Sequence, residues 1–476
     1  MKAGQSRRAR EQVAEAPRER SNRPPIESRI AAGGALLVFA AAILVLIVFT
    51  ARDLPYVLTS VLAGGLAIST LWVVATNRRL FRWWAAAAAV VFLAAAMASL
   101  VAAGRGAVSL IIAVIGILVA TTLGTLALRW EVRQALAHRW QHVPPTRHGV
   151  VLMNPRSGDG KVAKLHLVDE ARRRGLEAVL MSPEDDLRAL AELAVARGAD
   201  ALGMAGGDGS QALVASVAAA HGLPFVCVPA GTRNHLALDL GIDRDDPIGA
   251  LDAFKDARET TIDLGEVNGE AFVNNVSLGL YAEIVSSDRY REAKPRTVAE
   301  MLPDLLGANA EPFGLSLDSP NGAISDAQLI EISNNPYVLS SLTGFGSRAR
   351  LDNGALGVVA LSIKRTSDAA RLVALEVAGH PERYEGWREW TAVESQVCGP
   401  SSIIVAVDGE ARTLSSPLRC SIRPAAVRVR ISSGHLGASP AFLFAPIAVS
   451  TLVGLARIVR GRPSGIVADR TGADDS

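Results

Sequence analysis

Cysteine is scarce: the 476 residues hold three. Cys227, Cys398 and Cys420 show neither the paired rhythm of a disulfide framework nor the close spacing of a thiolate metal site, which predicts a reducing compartment and buried thiols. Net charge is also nearly absent, at +2. That excludes the concentrated basic field a nucleic-acid-binding surface requires. Four stretches before residue 130 carry no charge at all: Ile30 to Ala51, Leu54 to Asn77, Trp83 to Gly104 and Gly106 to Leu128. With no ionisable residue inside any of them, a transport path through these segments is not expected. A cleaved signal peptide is excluded by the length of the first run and by the three that follow.

Each uncharged stretch is long enough for a helix to cross the ~30 Å hydrocarbon core of a bilayer. The connectors are short, so neighbouring helices are antiparallel. Tyr56, Trp72, Trp83, Trp84 and Trp130 fall near the ends, where aromatic belts sit. Eight Arg and Lys residues precede Ile30. Arg78, Arg79 and Arg82 occupy the middle connector, and Arg129, Arg133, Arg139 and Arg147 follow the last span. The opposite connectors hold only Arg52 and Arg105. Positive-inside bias thus predicts a multi-pass protein of the plasma membrane, with the N-terminus and everything after residue 129 in the cytoplasm. Residues 1–29 are polar and Arg-rich and read as a disordered tail. Residues 30–128 read as a membrane anchor, and 129–147 as a juxtamembrane linker at the membrane surface. His138 and His142 stand four apart there, but no carboxylate or thiol accompanies them, so a metal site is not expected.

From His148 strands and helices alternate. Gly149 to Met153, Leu176 to Met181, Ala201 to Met204 and Phe225 to Val228 read as strands. Lys161 to Arg174, Asp185 to Arg197 and Gln211 to His221 read as helices. This order predicts an α/β domain over 148–262, with a parallel sheet covered on both faces. Three polar, Gly-rich loops (154–160, 206–210 and 229–234) follow strands and so gather at one sheet edge, where such folds bind ligands. In Gly206-Gly-Asp-Gly-Ser210 the glycines let backbone N–H groups approach phosphate oxygens at a helix start. Asp208 is placed there to hold Mg²⁺ or polarise an attacking hydroxyl. Ser210 is placed to bond a phosphate or cap the helix. The bland alternative for this stretch alone is a tight turn with a capping serine.

After about Thr260 the pattern becomes β. Thr261 to Val267, Ala271 to Val276, Leu329 to Ser333, Gly357 to Ile363, Ser402 to Val407 and Ala426 to Ile431 are strand-like. Asn268-Gly, Asn321-Gly, Asn353-Gly and Asp408-Gly mark turns. A second, β-rich, sandwich-like domain is expected over 263–433, with a cleft beside the first domain and a helical insertion at Arg289 to Gly307. The Asn334-Asn335-Pro336 stretch reads as a turn lining a lipid entrance, and Asn274-Asn275 as a shaper of the cleft.

Asn154-Pro-Arg-Ser-Gly158, Gly206-Gly-Asp-Gly-Ser210, Pro229-Ala-Gly-Thr-Arg-Asn234 and Asp408-Gly-Glu410, in this order, resemble the diacylglycerol kinase/sphingosine kinase superfamily of lipid kinases, whose fold is phosphofructokinase-like. The resemblance covers about 148–433. It implies that Asn154, Ser157, Gly206, Gly207, Asp208, Gly209, Ser210, Gly231, Thr232 and Asn234 form the site for ATP and Mg²⁺. Asp208 and Asp408 would be the metal ligands, and Asp208, Asp408 and Glu410 the catalytic acids, with Glu410 the preferred base. Ser210 stands where the family more often has Thr, which keeps the hydroxyl. Phosphofructokinases and NAD kinases share related loops, but neither accounts for Pro-Ala-Gly-Thr-Arg-Asn.

Residues 434–476 complete the chain. Leu436 to Ala456 is uncharged but interrupted by Pro440 and Pro446, and it is expected to lie in the inner leaflet before a disordered end. The expected function is a membrane-integral kinase using Mg²⁺-ATP to phosphorylate a lipid hydroxyl in the inner leaflet, diacylglycerol first. A nucleotide- or lipid-sensing pseudokinase and a kinase of a sphingoid base, ceramide, glycolipid, polyprenol or soluble alcohol are the alternatives. No nucleic-acid partner is expected.

Overall fold

The computed structural model describes residues 23–50, 54–76, 81–102, 105–286, 313–325, 327–337, 348, 350–363, 368, 371–372, 375, 383–435 and 449–466. The helical insertion expected at 289–307 lies outside these. The chain divides into two compact units: residues 1–64, 93–138 and 442–476 in one, residues 65–92 and 139–441 in the other.

The uncharged stretches form α1 (Ile26–Thr50), α2 (Leu54–Thr76), α3 (Phe81–Ala102) and α4 (Arg105–Arg139). In a bilayer core a helix is the only single-segment way to satisfy every backbone N–H and C=O. Among the described residues, three helical stretches are long and apolar enough to cross: Ile26–Val48, Trp83–Ala102 and Val108–Glu131. In α2 the described apolar run is the shorter Leu58–Leu71.

Within the first unit small residues bring backbones together. A Cβ on Gly116 of α4 would lie 2.8 Å from Cβ of Ala42 on α1. Ala35, Ala42, Ala120 and Ala127 are buried, while Leu37, Leu44, Ile111 and Leu118 face outward. The basic stretch expected to lie apart on the membrane surface instead continues α4 to Arg139. At ~1.5 Å per residue, a helix of 35 residues outruns the bilayer core. Of the tail, α12 (Val449–Val459) packs on α1, where Arg29 Nε donates to the Val459 carbonyl at 3.2 Å. Its Leu455 and Ile458 are buried. Ser464, just beyond, donates through its N–H and hydroxyl to the Glu131 carboxylate of α4.

The second unit is built on two sheets. Strands β2 (Gly149–Met153), β4 (Ala201–Gly206) and β5 (Pro224–Pro229) are buried at every position and run parallel, with β3 (Glu177–Leu180) beside β2. Their near-continuous apolar runs suit strands covered on both faces. Helices α5 (Lys161–Lys164), α6 (Leu167–Arg173), α7 (Leu187–Ala196) and α8 (Asp208–Ala220) connect them. The single helix expected over 161–174 breaks at His166, which takes a left-handed φ of 49°.

The sheet does not end at the domain edge. β6 (Ala257–Val267) and β17 (Leu418–Ser432) are long antiparallel partners, and the C-terminal half of β17 runs parallel to β5. The other half of β17 pairs with β14 (Glu394–Cys398). The boundary expected at 262/263 therefore falls inside β6, and the two lobes share one sheet.

The second sheet is antiparallel, in the order β13 (Trp387–Ala392), β12 (Leu356–Leu361), β11 (Leu329–Asn334), β8 (Asn275–Gly279), β15 (Ser402–Val407), β16 (Glu410–Ser415). It packs on the β6–β17 region through Phe272, Val276, Ile332, Val358, Val405 and Ile422, the sandwich the alternating strands predict.

Candidate functional site

The three Gly-rich loops meet. Asn154 closes the first by accepting from Arg156 N–H through Oδ1 (3.0 Å) and from Ser157 N–H through its carbonyl (3.2 Å). Gly158 has φ +56°, and a Cβ there would lie 2.4 Å from the Ala230 carbonyl oxygen, so the 154–160 loop rests on the 229–234 loop. A Cβ on Gly231 would lie 2.5 Å from Gly207 Cα, which brings the third loop against the second. Glycine is required where backbone meets backbone this closely.

Helix α8 begins at Asp208 rather than at Gln211. Gly207 occupies the cap position and no side chain caps the helix, so Ser210 is not the cap. The first-turn N–H groups of a helix lack intrahelical partners and favour anions. A Cβ on Gly207 would meet nothing within 4 Å, so the approach to this helix end is open.

The motif residues divide by role. Asp208 is buried, and its carboxylate accepts from His235 N–H (2.9 Å) and Leu236 N–H (3.2 Å), the start of α9 (His235–Asp239). Asn234 is also buried. Its Oδ1 accepts from Gly231 N–H at 2.9 Å and its Nδ2 donates to the Gly231 carbonyl at 2.8 Å, so its amide shapes its own loop. Thr232 is exposed, and Ser157 and Ser210 are half-buried.

Asp408 and Gly409 have φ of 49° and 82°, the paired positive values of a tight hairpin turn between β15 and β16. The Asp408 carboxylate accepts from the N–H groups of Val273 (3.0 Å), Asn274 (2.7 Å) and Asn275 (3.2 Å). Burial pushes its carboxyl up to about 7; the three N–H bonds oppose this, and the neighbouring Asp208 charge adds to it. Glu410 differs. It is exposed, its Oε2 accepts from Arg412 Nη2 at 3.0 Å, and its carboxyl carbon would lie 3.1 Å from a Cβ on Gly209. The hairpin thus carries a solvent-reaching carboxylate onto the glycine loop at the start of α8.

The bonding of several residues is not legible in the sequence. Gln211 donates through Nε2 to the carbonyls of Met204 and Val228 (both 2.9 Å), tying α8 to the ends of β4 and β5. Arg233 reaches Tyr281 of α11 (Leu280–Ser286) at 2.9 Å. Asn334 and Asn335 are fully buried rather than lining an entrance, and Asn334 Nδ2 donates to the carbonyl of Asp263. Arg348 is fully buried among polar partners. Gln211, Arg233, Asn334 and Asn335 lie in or beside stretches the sequence singles out, but their bonding partners leave no local pattern; Arg348 carries no signal at all.

Residues 148–267 match the model of the diacylglycerol kinase catalytic domain. A diacylglycerol kinase of Mycobacterium tuberculosis is 31% identical over 195 residues, covering 38% of this chain and 63% of its own length. The diacylglycerol kinase of Bacillus subtilis is 31% identical over 141 residues, 28% of this chain and 46% of the relative. A Pseudomonas aeruginosa protein described as a probable lipid kinase YegS-like is 31% identical over 140 residues, 29% of this chain and 46% of its own. The chain thus spans about 63% or less of these curated relatives. A solved diacylglycerol kinase structure from Bacillus anthracis aligns with 61% of this chain and 98% of its own, at 15% identity and a TM-score of 0.43. Three of the four motifs lie inside the matched stretch, and the loops they build agree with it: residues 148–267 are similar to the catalytic domain of diacylglycerol kinases, in a chain whose described residues also include apolar helices long enough to cross a membrane.

Proposed function

We propose that this chain is a membrane-anchored lipid kinase that transfers the γ-phosphoryl group of ATP to a lipid hydroxyl, diacylglycerol being the acceptor. The observation that carries the reading is the Glu410 carboxylate set against Gly209 at the start of α8. Phosphoryl transfer asks little covalent work of a protein; it needs phosphates held, charge neutralised and a hydroxyl oriented. The N-terminal end of α8, with the Asn154–Gly160 and Pro229–Asn234 loops around it, supplies the first. Glu410 supplies the last. Of the three carboxylates, Asp208 and Asp408 are bound to backbone N–H groups, whereas Glu410 reaches solvent, which suits it to orient an incoming hydroxyl.

Among the described residues no group of three or more His, Cys, Asp or Glu gathers as a closed metal cage. Mg²⁺ does not need one, because it is held by one or two carboxylates with phosphates and water completing its shell. Asp208 and Asp408, close enough for one charge to raise the other's pKa, suit that arrangement. Mg²⁺ held there with nucleotide would neutralise phosphate charge. The apolar helices confine the site to the layer that holds its acceptor, which raises effective concentration. The distribution of arginines supports a catalytic domain on the cytoplasmic side, where ATP is.

The test uses full-length protein in lipid vesicles with γ-labelled ATP, Mg²⁺ and a panel of hydroxyl lipids, beside Asp208→Asn. Label should enter diacylglycerol and fall at least ~100-fold in the variant, the scale of a lost positioning and charge-stabilising group. Label entering another lipid alone removes diacylglycerol as acceptor. Bound ATP with no labelled product removes the kinase reading in favour of a nucleotide sensor.

A further inference from the structure

Arg348 is completely buried, which costs a guanidinium its hydration unless every donor is matched. Its Nε donates to Asp239 Oδ2 at 2.6 Å, and its own backbone N–H to Asp239 Oδ1 at 3.0 Å. Nη1 donates to the carbonyls of Val273 (2.6 Å) and Asn334 (2.8 Å), and Nη2 to Asn274 Oδ1 (2.8 Å). The Tyr337 ring centroid lies 5.4 Å from the guanidinium carbon. One planar fork therefore binds the last residue of α9 in the α/β lobe to the Val273–Asn274 turn and to β11 in the β-rich lobe.

Both anchors are already parts of the candidate site. The opposite end of α9 is held by Asp208, through His235 and Leu236 N–H. The Val273–Asn275 turn donates three N–H bonds to Asp408, two residues before Glu410. Covalent and hydrogen-bonded links thus run from Asp208 along α9 to Asp239, across Arg348 to Val273 and Asn274, and through Asp408 to Glu410.

We propose that Arg348, acting with Asp239, is a positioning residue that sets the Glu410 carboxylate against the Gly206–Ser210 loop. A buried ion pair contributes little net stability compared with apolar packing of the same volume, so stability alone is a weak reason for this one. Its geometry is specific: a guanidinium holds four acceptors in one plane, and an ammonium cannot reproduce that fork. The inference rests on the lipid-kinase reading for its kinetic consequence, but not for its structural one.

The experiment compares full-length wild type with Arg348→Lys and Asp239→Asn in vesicles, beside Glu410→Gln and the Arg348→Lys/Glu410→Gln double variant. Arg348→Lys should bind ATP within about threefold of wild type and leave KM for ATP similarly unchanged. Its kcat should fall at least ~10-fold, since a misplacement near 1 Å can cost ~100-fold. Because Arg348 acts through Glu410, the double variant should be no slower than Glu410→Gln alone. Multiplied losses, or unchanged kcat in folded Arg348→Lys and Asp239→Asn, overturn the inference. Amide hydrogen exchange, read on the same samples without lipid, should accelerate at 273–275 and 408–410 ahead of the rest of the domain. Unchanged exchange there overturns the inference whether or not any lipid is phosphorylated. Wild type that phosphorylates no lipid while the variants show local acceleration overturns the kinase reading alone, and Asp239→Asn supplies the comparison if Arg348→Lys does not fold.

Discussion

At the scale of single residues, three acidic groups with the same chemistry take different work from their surroundings. Asp208 holds the start of α9, Asp408 holds the Val273–Asn275 turn, and Glu410 stands in solvent beside Gly209. Asp408 yields a pH prediction. Its carboxyl is raised from 3.8 to about 7, chiefly by burial, so the fold favours its protonated form. For a carboxyl raised in the folded state, the stabilising contribution is fully present below 3.8 and is lost as pH rises through about 7. Nucleotide-free protein should therefore show an aspartate carboxyl resonance titrating near 7, and Asp208→Asn should move it down by removing the neighbouring charge. Carbon NMR of ¹³C-labelled aspartates across pH 3–9 checks this; a midpoint near 4 in the wild type would show that Asp408 is well solvated. The motif that contains Asp408 and Glu410 was legible, because Asp-Gly between alternating strands is turn chemistry written locally. Their division of labour was not, because it depends on N–H groups more than 130 residues away.

At the scale of elements, α8 begins in the Gly206–Ser210 loop proposed to face phosphate, and Gln211 ties it to β4 and β5. The Gln211 amide bridges the Met204 and Val228 carbonyls, with Gly206 at 3.3 Å, from a site 1% exposed. Gln211→Leu leaves those carbonyls buried without their donor, which costs about 1–3 kcal/mol per unmet group. Urea unfolding of the variant should show a loss of that size, and nucleotide titration should show weaker ATP binding as the loop shifts. A loss of stability with unchanged ATP affinity would separate the helix angle from the site. Strands, turns and glycine loops in this lobe followed from apolar runs and Gly positions. Helix ends moved instead where tertiary contact prevailed: α8 starts three residues early because Asp208 is drawn to α9, and the 161–174 helix breaks at His166.

At the scale of the whole molecule, the cysteines report topology. Cys398 is exposed, whereas Cys227 and Cys420 are buried. Burial pushes the Cys227 thiol up and the Cys420 thiol up to about 12, which leaves both unreactive. A membrane-impermeant maleimide should therefore label the native protein in inverted membrane vesicles and leave intact cells unlabelled, and Cys398→Ser should abolish the labelling. Labelling from outside intact cells would place the catalytic domain away from cytoplasmic ATP and remove the kinase reading.

The sequence alone determined what is local or periodic. Uncharged runs specify membrane-length helices because the bilayer core admits no unpaired backbone, and glycines next to strand ends specify loops because only glycine permits those backbone approaches. The tertiary structure alone decided that β6 and β17 weld the two lobes into one sheet, that α4 runs on past its membrane-length apolar stretch, and that the tail helix packs on α1. It also decided that a fully buried arginine joins α9 to the Val273–Asn274 turn and β11. The physical reason is common to all of these: each is set by hydrogen bonds and packing between residues distant in the chain, and such pairings leave no local pattern to read.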